Sequence, residues 1–339
     1  MSNGRPTVAI AALGGTIAST SSAADGSAIV PTLTAESLAA AVPGLADVAE
    51  IRAETLATVP SPSLDEATLL RTLRWAREAV DAGAAGVVVT QGTDTLEESS
   101  YLLDLFWDRP EPLVLTGAMR SAQAPGADGP ANLLAAVLTA LAPASRERGA
   151  LVAFADEVHA ARWVAKTDAL STGAFRSPSF GAVGRCVEGE VRYVAPPVRL
   201  APLAPPTDDT ANPRVPLLTT YLGDDGSVLD TVVAGGADGV VVAGFGAGHV
   251  SASMAEAVGR AAARIPVVFA SRTGAGPTGR AIYGYPGSEV DLAARGAVGA
   301  GWLSPLKARL LLWALASRGP VGRDELAAAF EVRGSLPTG

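Results

Sequence analysis

Short apolar stretches that alternate with helix-like segments constrain the fold of this chain more than any other feature. The clearest example lies at residues 86–106, where GVVVT predicts a buried strand and the leucines and phenylalanine that follow share one helical stripe. Similar alternation continues through most of the 339 residues. Such alternation is typical of a largely parallel sheet covered by helices. We therefore predict an α/β fold.

The predicted elements fall into two groups, which we interpret as two α/β domains. The larger N-terminal domain, residues 1–198, is predicted to contain a doubly wound, mostly parallel sheet, and the smaller C-terminal domain, residues 216–339, a parallel sheet. Between them, residues 199–215 carry several prolines and no periodic pattern and are the predicted linker. A hydrophobic content of 48% is ample for two cores.

Composition excludes several functional classes. A net charge of −8 and the lack of any basic cluster argue against nucleic acid and anionic membranes as partners, so we expect a small ligand. The single cysteine, Cys186, excludes an internal disulfide, and two histidines without a CxxC or HExxH motif predict no metal site and no cofactor. The N-terminal apolar run is short and already needed as a strand, so we expect a cytoplasmic protein.

Hydroxyl and carboxylate side chains follow two predicted strands. The turn QGTDT after residues 86–90 presents Thr93 beside Asp94, and the strand at residues 7–13 runs into GGTIAS, which contains Thr16. Ligands of open α/β sheets bind at the carboxyl ends of strands, so these residues are candidates for a functional site. A simpler interpretation is that Asp94 or Thr95 only caps the helix that follows.

Four segments taken together resemble the bacterial L-asparaginase family of amidohydrolases. They are LGGTIAS, VVVTQGTDTLEE, VLTGAMR with DGPANL, and the stretch around Lys166 and Thr167. These segments occur in the same order as in the family, and the resemblance extends over residues 7–312. It implies an enzyme that hydrolyses L-asparagine to L-aspartate and ammonia through a threonine nucleophile and an acyl-enzyme. It also implies a small-molecule amide substrate and a homotetramer built from two close dimers.

The resemblance assigns the nucleophile and its surroundings. Thr16 is expected to attack the carbon of the side-chain amide. Backbone N–H groups next to Gly15 and Gly92 are the expected donors to the oxyanion, because they need no reorganisation during the reaction. Thr16 and Thr93 both lie at strand ends, and the sequence leaves open which threonine acts in which half-reaction.

Lysine usage adds support for the proton-handling group that the resemblance implies, which consists of Thr93, Asp94 and Lys166. The chain contains 24 arginines and only two lysines, Lys166 and Lys307. A desolvated lysine can lose its proton, whereas an arginine stays charged. A lysine can also survive by chance at a packed site, but the resemblance places Lys166 at the position of the catalytic lysine.

The resemblance also suggests residues that bind the substrate. Asp94 and Ser61 match positions that hold the α-amino and α-carboxylate groups, and Glu289 matches an acid contributed across a subunit interface. His249 lies where the family usually has an amide side chain. Ser61 can equally be a turn residue and Glu289 a solvated surface acid, while His249 either replaces the amide or only forms a turn.

Three departures from the family pattern leave the substrate open. Residues 17–33 are expected to form a mobile lid, yet no tyrosine occurs between residues 17 and 56, where the family usually has one. Pro62 stands where a glutamine is usual, and residues 246–249 read GAGH instead of a GNGN-like sequence. The alternatives are another amide, such as glutamine, D-asparagine or a larger asparaginyl compound, or a non-catalytic amino-acid-binding regulator.

Overall fold

The structure, a computed structural model, describes residues 4–21, 29–207 and 212–336. The chain divides into two compact units, Met1–Leu203 and Ala204–Gly339. The predicted linker at residues 199–215 spans this division, and part of it lies outside the described residues, as does part of the predicted lid at residues 17–33. The exact domain and linker boundaries therefore stay predictions.

Twelve described strands and five described α-helices build the first unit. In chain order the strands are β1 (Thr7–Gly14), β2 (Ser19–Ser21), β3 (Ile29–Pro31), β4 (Glu50–Val59), β5 (Gly86–Thr90), β6 (Leu113–Thr116), β7 (Ala150–Phe154), β8 (Glu157–Ala160), β9 (Ala165–Lys166), β10 (Phe175–Arg176), β11 (Gly184–Val187) and β12 (Glu190–Tyr193). The helices are α1 (Ala35–Ala40), α2 (Leu45–Val48), α3 (Glu66–Asp81), α4 (Leu96–Phe106) and α5 (Gly129–Leu141).

The main sheet of this unit has the strand order β12-β11-β8-β7-β6-β5-β1-β4. Strands β4, β1, β5, β6 and β7 run parallel, while β8, β11 and β12 add antiparallel strands at one edge. Every residue of β5, β6 and β7 is buried, as expected for parallel strands covered on both faces. The prediction of a mostly parallel α/β sheet is confirmed.

The core of the first unit forms on both faces of this sheet. On one face Ile10 and Val88 pack with α1 and with Leu133 of α5 in a continuous apolar cluster. Because successive strand residues point to opposite faces, Val87 and Val89 face the other side, where α3 contacts β1 and β5 and α4 contacts β6 and β7. Burial on both faces fixes the strand register, since a shift by one residue would exchange the faces.

The second unit contains a smaller sheet that is wholly parallel, with the order β13-β14-β15-β16. Its strands are β13 (Leu217–Thr219), β14 (Val240–Gly244), β15 (Val267–Ser271) and β16 (Val298–Gly299). Its helices are α6 (Ser227–Ala234), α7 (Ala252–Ala262), α8 (Glu289–Ala294), α9 (Pro305–Ala316) and α10 (Arg323–Gly334). Val242, Val258 and Phe269 lie in one apolar cluster. The predicted parallel sheet of the C-terminal part is confirmed.

Several short elements were not predicted from the sequence. Strands β11 and β12 expose alternate residues and contain several charged side chains, so they lack the apolar run by which the other strands were recognised. Helix α8 has only six residues, too few for a clear helical period. In the part of the chain that the structure describes, no helix is long and apolar enough to cross a membrane.

We predict that Leu115→Ala destabilises the first unit. Leu115 is fully buried in β6, and truncation of such a leucine typically costs about 2–5 kcal/mol because a cavity remains. Leu170→Ala is the matched control, since Leu170 of the same unit is 85% exposed and its truncation is expected to change stability by less than about 0.5 kcal/mol. Denaturant unfolding of both variants measures the difference, and equal effects would contradict the assignment of the core.

Candidate active site

Three loops of the first unit meet at the carboxyl edge of its main sheet. Strand β1 lies between β4 and β5 and runs parallel to both, so their carboxyl ends are neighbours. The chain turns from β1 to Thr16, from β4 to Ser61, and from β5 to Thr93. The strand order also reverses at β1, and such a switch point is where open α/β sheets bind ligands.

Two glycines allow the loops after β1 and β5 to touch. A Cβ atom on Gly15 would lie 2.1 Å from the backbone nitrogen of Gly92, and Gly15 has a φ of +82°. A Cβ atom on Gly92 would in turn lie 2.7 Å from Oγ of Ser61. Neither position accommodates a side chain without moving the backbone. The glycines thus bring the segments that carry Thr16, Thr93 and Ser61 together.

Thr16 begins a short 3₁₀ turn, Thr16–Ala18, and is partly buried. The carbonyl of Gly15 accepts hydrogen bonds from Oγ of Ser19, at 2.7 Å, and from the backbone N–H of Ala18, at 3.0 Å. These bonds close the turn over the preceding glycine. The hydroxyl of Thr16 is therefore carried on a backbone segment that is held on both sides, by β1 and by this turn.

Ser61 links the loop after β4 to the loop after β5. Its side chain is almost fully buried, and Oγ accepts a hydrogen bond of 3.1 Å from the backbone N–H of Asp94. The hydroxyl of Thr95 donates to the Ser61 carbonyl at 3.1 Å. Helix α4 starts after Thr95 without a side-chain capping bond. Ser61 is thus both a turn residue and a contact in this cluster, and the capping role considered for Asp94 and Thr95 is not observed.

Lys166 joins the two chemical groups of the β5 turn. Its Nζ donates to Oγ1 of Thr93 at 2.9 Å and to Oδ1 of Asp94 at 2.6 Å. The lysine side chain is 14% exposed, whereas the Asp94 side chain is 60% exposed. The amine is therefore shielded beside a hydroxyl, and the carboxylate faces solvent, where a ligand can reach it. A neutral amine in this position can take the proton of Thr93, and a charged one stabilises Asp94.

Glu289 and His249 lie in the second unit and contact each other. Glu289 starts α8 and is 1% exposed, which contradicts its interpretation as a solvated surface acid. Its Oε1 accepts hydrogen bonds from the backbone N–H groups of Ile282, at 2.6 Å, and Tyr283, at 2.8 Å. Its Oε2 contacts Nε2 of His249 at 2.9 Å. Burial raises the pKa of Glu289, but the two backbone donors and the imidazole outweigh burial and hold the pKa below its ordinary value of 4.5.

The segment that encloses Glu289 was not among the predicted site residues. Residues 280–286 supply the two backbone donors and also Tyr285, whose hydroxyl lies 2.7 Å from Nδ1 of His249. His249 itself closes a tight turn through paired backbone hydrogen bonds with Phe245. The sequence signal for this segment is the pair of tyrosines at 283 and 285 close to an acidic residue.

No group of three or more His, Cys, Asp or Glu side chains is arranged to hold a metal ion within residues 4–21, 29–207 and 212–336. The expectation that no metal or cofactor takes part stays a prediction. The chemistry that the described groups offer consists of hydroxyl nucleophiles, an amine and carboxylates. Such groups suit acyl transfer from an amide.

Comparisons with known proteins match both units. The family model described as "Asparaginase, N-terminal" matches residues 7–199, and the one described as "Glutaminase/Asparaginase C-terminal domain" matches residues 214–330. The solved structure titled "Crystal Structure of Probable Cytoplasmic L-asparaginase from Campylobacter jejuni" is similar, with a TM-score of 0.86 and 32% identity, over 96% of this chain and 99% of that chain.

Curated proteins of similar length also match. The "Probable L-asparaginase periplasmic" of Haemophilus influenzae is 36% identical over 312 residues, which cover 91% of this chain and 87% of the relative. The "L-asparaginase 2" of Escherichia coli is 35% identical over 312 residues, covering 91% of this chain and 88% of the relative. The "Probable L-asparaginase" of Deinococcus radiodurans is 36% identical over 96% of this chain and 97% of the relative.

We predict that Lys166→Arg and Lys166→Met both lose turnover by about 100-fold or more, the scale of general-base loss. Arginine keeps the charge and pairs with Asp94 but does not release a proton, and methionine removes the amine. Steady-state kinetics measures the loss, and thermal unfolding reports whether each variant is folded. A stable Lys166→Arg protein with normal turnover would remove Lys166 from proton transfer.

Lys307 offers a second lysine for comparison. It lies near the start of α9 and is 2% exposed, so an arginine there has little space. We expect Lys307→Arg to lower thermal stability while turnover per folded molecule stays within a few fold. Lower stability with normal turnover in Lys307→Arg, and lost turnover in a stable Lys166→Arg, would separate an effect on packing from an effect on the chemistry.

Proposed function

The chain belongs to the bacterial L-asparaginase family and is a hydrolase of amide C–N bonds, and from this premise we propose how its residues hydrolyse L-asparagine to L-aspartate and ammonia. Thr16 attacks the carbon of the side-chain amide and forms an acyl-enzyme. Ammonia leaves first, and water then hydrolyses the acyl-enzyme. Backbone N–H groups beside Gly15 and Gly92 stabilise the oxyanion, since both glycines lie where the two loops touch.

The observation that carries this proposal is the pair of hydrogen bonds from Lys166 to Thr93 and Asp94. A base must lie within hydrogen-bond distance of the proton that it removes, and Nζ of Lys166 lies 2.9 Å from the Thr93 hydroxyl. In the neutral form the amine takes this proton, and the resulting ammonium is stabilised by Asp94. In the second half-reaction the Thr93 oxygen takes a proton from the water that attacks the acyl-enzyme, while Thr93 passes its own proton to Lys166.

Substrate binding uses the exposed side of the same cluster. Asp94 presents a carboxylate that is 60% exposed and can pair with the α-amino group of an amino-acid substrate. Ser61 fixes the backbone of Asp94 through its 3.1 Å hydrogen bond and lies where the α-carboxylate is proposed to bind. Glu289 and His249 are proposed to complete the binding site from a neighbouring chain.

The assembly that we propose is a homotetramer of two close dimers with shared sites. Its support is that the first unit carries Thr16 and Lys166 while the second carries the buried, ionised Glu289. We further propose a cytoplasmic location. Relatives differ in this respect, since the Haemophilus relative is named periplasmic and the Campylobacter structure cytoplasmic. Cell fractionation tests the location, and recovery of the protein outside the cytoplasmic fraction would contradict it.

Ammonia release from a panel of amides tests the reaction and the substrate. We expect L-asparagine to be hydrolysed. We expect Thr16→Ala to abolish this activity, because alanine has no hydroxyl that can form the acyl-enzyme. The panel adds L-glutamine, D-asparagine and an asparaginyl dipeptide. If one of these is hydrolysed and L-asparagine is not, that amide is the substrate. Binding of an amide without any ammonia release indicates a non-catalytic regulator.

Complementation tests the shared site. We expect Thr16→Ala chains and Glu289→Ala chains, each inactive alone, to regain part of the activity when they are mixed, unfolded and reassembled. Recovery arises because some assemblies then combine an intact Thr16 with an intact Glu289 from different chains. A matched mixture of Thr16→Ala with Lys166→Met chains should stay inactive, since both changes affect the first unit. A fully active monomer in sedimentation would contradict the proposal.

A further inference from the structure

A phenol, an imidazole and a carboxylate form a continuous hydrogen-bonded chain in the second unit. The Tyr285 hydroxyl lies 2.7 Å from Nδ1 of His249, and Nε2 of His249 lies 2.9 Å from Oε2 of Glu289. His249 follows β14, and Tyr285 follows β15, so these hydrogen-bonded side chains lie at the carboxyl edge of the parallel sheet. This is the edge at which parallel sheets bind ligands.

The hydrogen-bond partners assign the protons along this chain. The buried carboxylate of Glu289 is an acceptor, because Oε1 already receives two backbone N–H groups. His249 therefore donates from Nε2 to Glu289, and the tautomer protonated only at Nε2 presents the lone pair of Nδ1 to Tyr285. The phenol donates to that lone pair. Its oxygen then has free lone pairs that point away from the imidazole and can accept a proton.

Tyr285 is suited to this task because its hydroxyl contacts His249, unlike the hydroxyl of Tyr193 or the buried Tyr101. Tyr101 is 1% exposed, and the Tyr193 hydroxyl bonds Ser145 at 2.6 Å. Tyr285 is 48% exposed, so a ligand can reach its hydroxyl, while the imidazole behind it is mostly shielded. The sequence has no tyrosine in the segment after Thr16, between residues 17 and 56.

We propose that Tyr285 is a catalytic residue that accepts the proton of the Thr16 hydroxyl in the site of a neighbouring chain. The proposal rests on the amide hydrolysis proposed above and adds a proton route for Thr16 that is separate from the Lys166 route for Thr93. Glu289 acts as a positioning residue for the imidazole.

The proton transfers balance over the first half-reaction. As the Thr16 oxygen bonds to the amide carbon, its proton moves to the Tyr285 oxygen, and the Tyr285 proton moves to Nδ1 of His249. The imidazolium is paired with the Glu289 carboxylate. When the C–N bond breaks, Tyr285 gives a proton to the departing nitrogen and regains one from Nδ1. Ammonia leaves, and His249 is neutral again.

The substitution His249→Gln separates proton transfer from simple support of the loop. Its amide can donate to Glu289 and accept from Tyr285, which preserves both hydrogen bonds, but it does not take up a proton. Tyr285→Phe keeps the ring, which packs edge-on to His249, and removes the hydroxyl. A role in loop support predicts an active His249→Gln enzyme, whereas a proton relay predicts an inactive one.

The experiment compares kcat and KM for L-asparagine in wild type, Tyr285→Phe, His249→Gln and the double variant. We expect each single variant to lower kcat by about 100-fold, a larger effect than any rise in KM, and the double variant to lose little more, since both changes break one route. Tyr221→Phe is the control, because Tyr221 belongs to the same unit and is similarly exposed, at 53%. It should keep wild-type kcat.

The outcomes distinguish this inference from the proposed function. A wild-type protein that releases no ammonia from any amide overturns the proposed function and the relay together. A wild-type enzyme whose activity requires Thr16 but survives Tyr285→Phe or His249→Gln overturns the relay alone. Thermal unfolding shows whether each variant is folded, and crystal structures of folded variants with unchanged loops at residues 280–286 would exclude a purely structural loss.

Discussion

Contact between the backbones of Gly15 and Gly92 is the constraint on which the site of the first unit depends. A Cβ atom on Gly15 would lie 2.1 Å from the Gly92 nitrogen, so any side chain there would push the ends of β1 and β5 apart. Gly15 also has a φ of +82°, which costs other residues conformational energy. Because the strands are parallel and adjacent, this contact sets the positions of Thr16 and Thr93 at the same time.

The ion pair between Lys166 and Asp94 contributes little to the stability of the fold. Its carboxylate is 60% exposed, and ion pairs with an exposed partner contribute about 0–1 kcal/mol. The amine, by contrast, is mostly shielded and also contacts the Thr93 hydroxyl. An asymmetric pair of this kind costs little desolvation on the acidic side and leaves the carboxylate open to solvent, while the amine stays next to the Thr93 hydroxyl.

In the second unit, too, a glycine and backbone contacts between loops hold a functional group in place. Its loops after β14 and β15 enclose Glu289, which is held by two backbone N–H groups. The enclosure needs a glycine at 279, since a Cβ atom there would lie 2.9 Å from Cδ of Glu289. A buried carboxylate with fixed donors keeps one protonation state and orients the imidazole of His249. Tyr285 then extends this arrangement to the surface.

The sequence by itself determined the α/β alternation, the strand at residues 86–90 and the candidates Thr16 and Thr93, because apolar runs and turn residues are local patterns. Lysine scarcity left Lys166 and Lys307, and the family resemblance singled out Lys166. Only the tertiary structure decided that Ser61 bonds Asp94, 33 residues away, and that Glu289 is buried against His249, 40 residues away. It also decided that Tyr285 bonds this histidine. Such contacts depend on how separate loops pack at a sheet edge, and no local pattern specifies the distance between side chains from different loops.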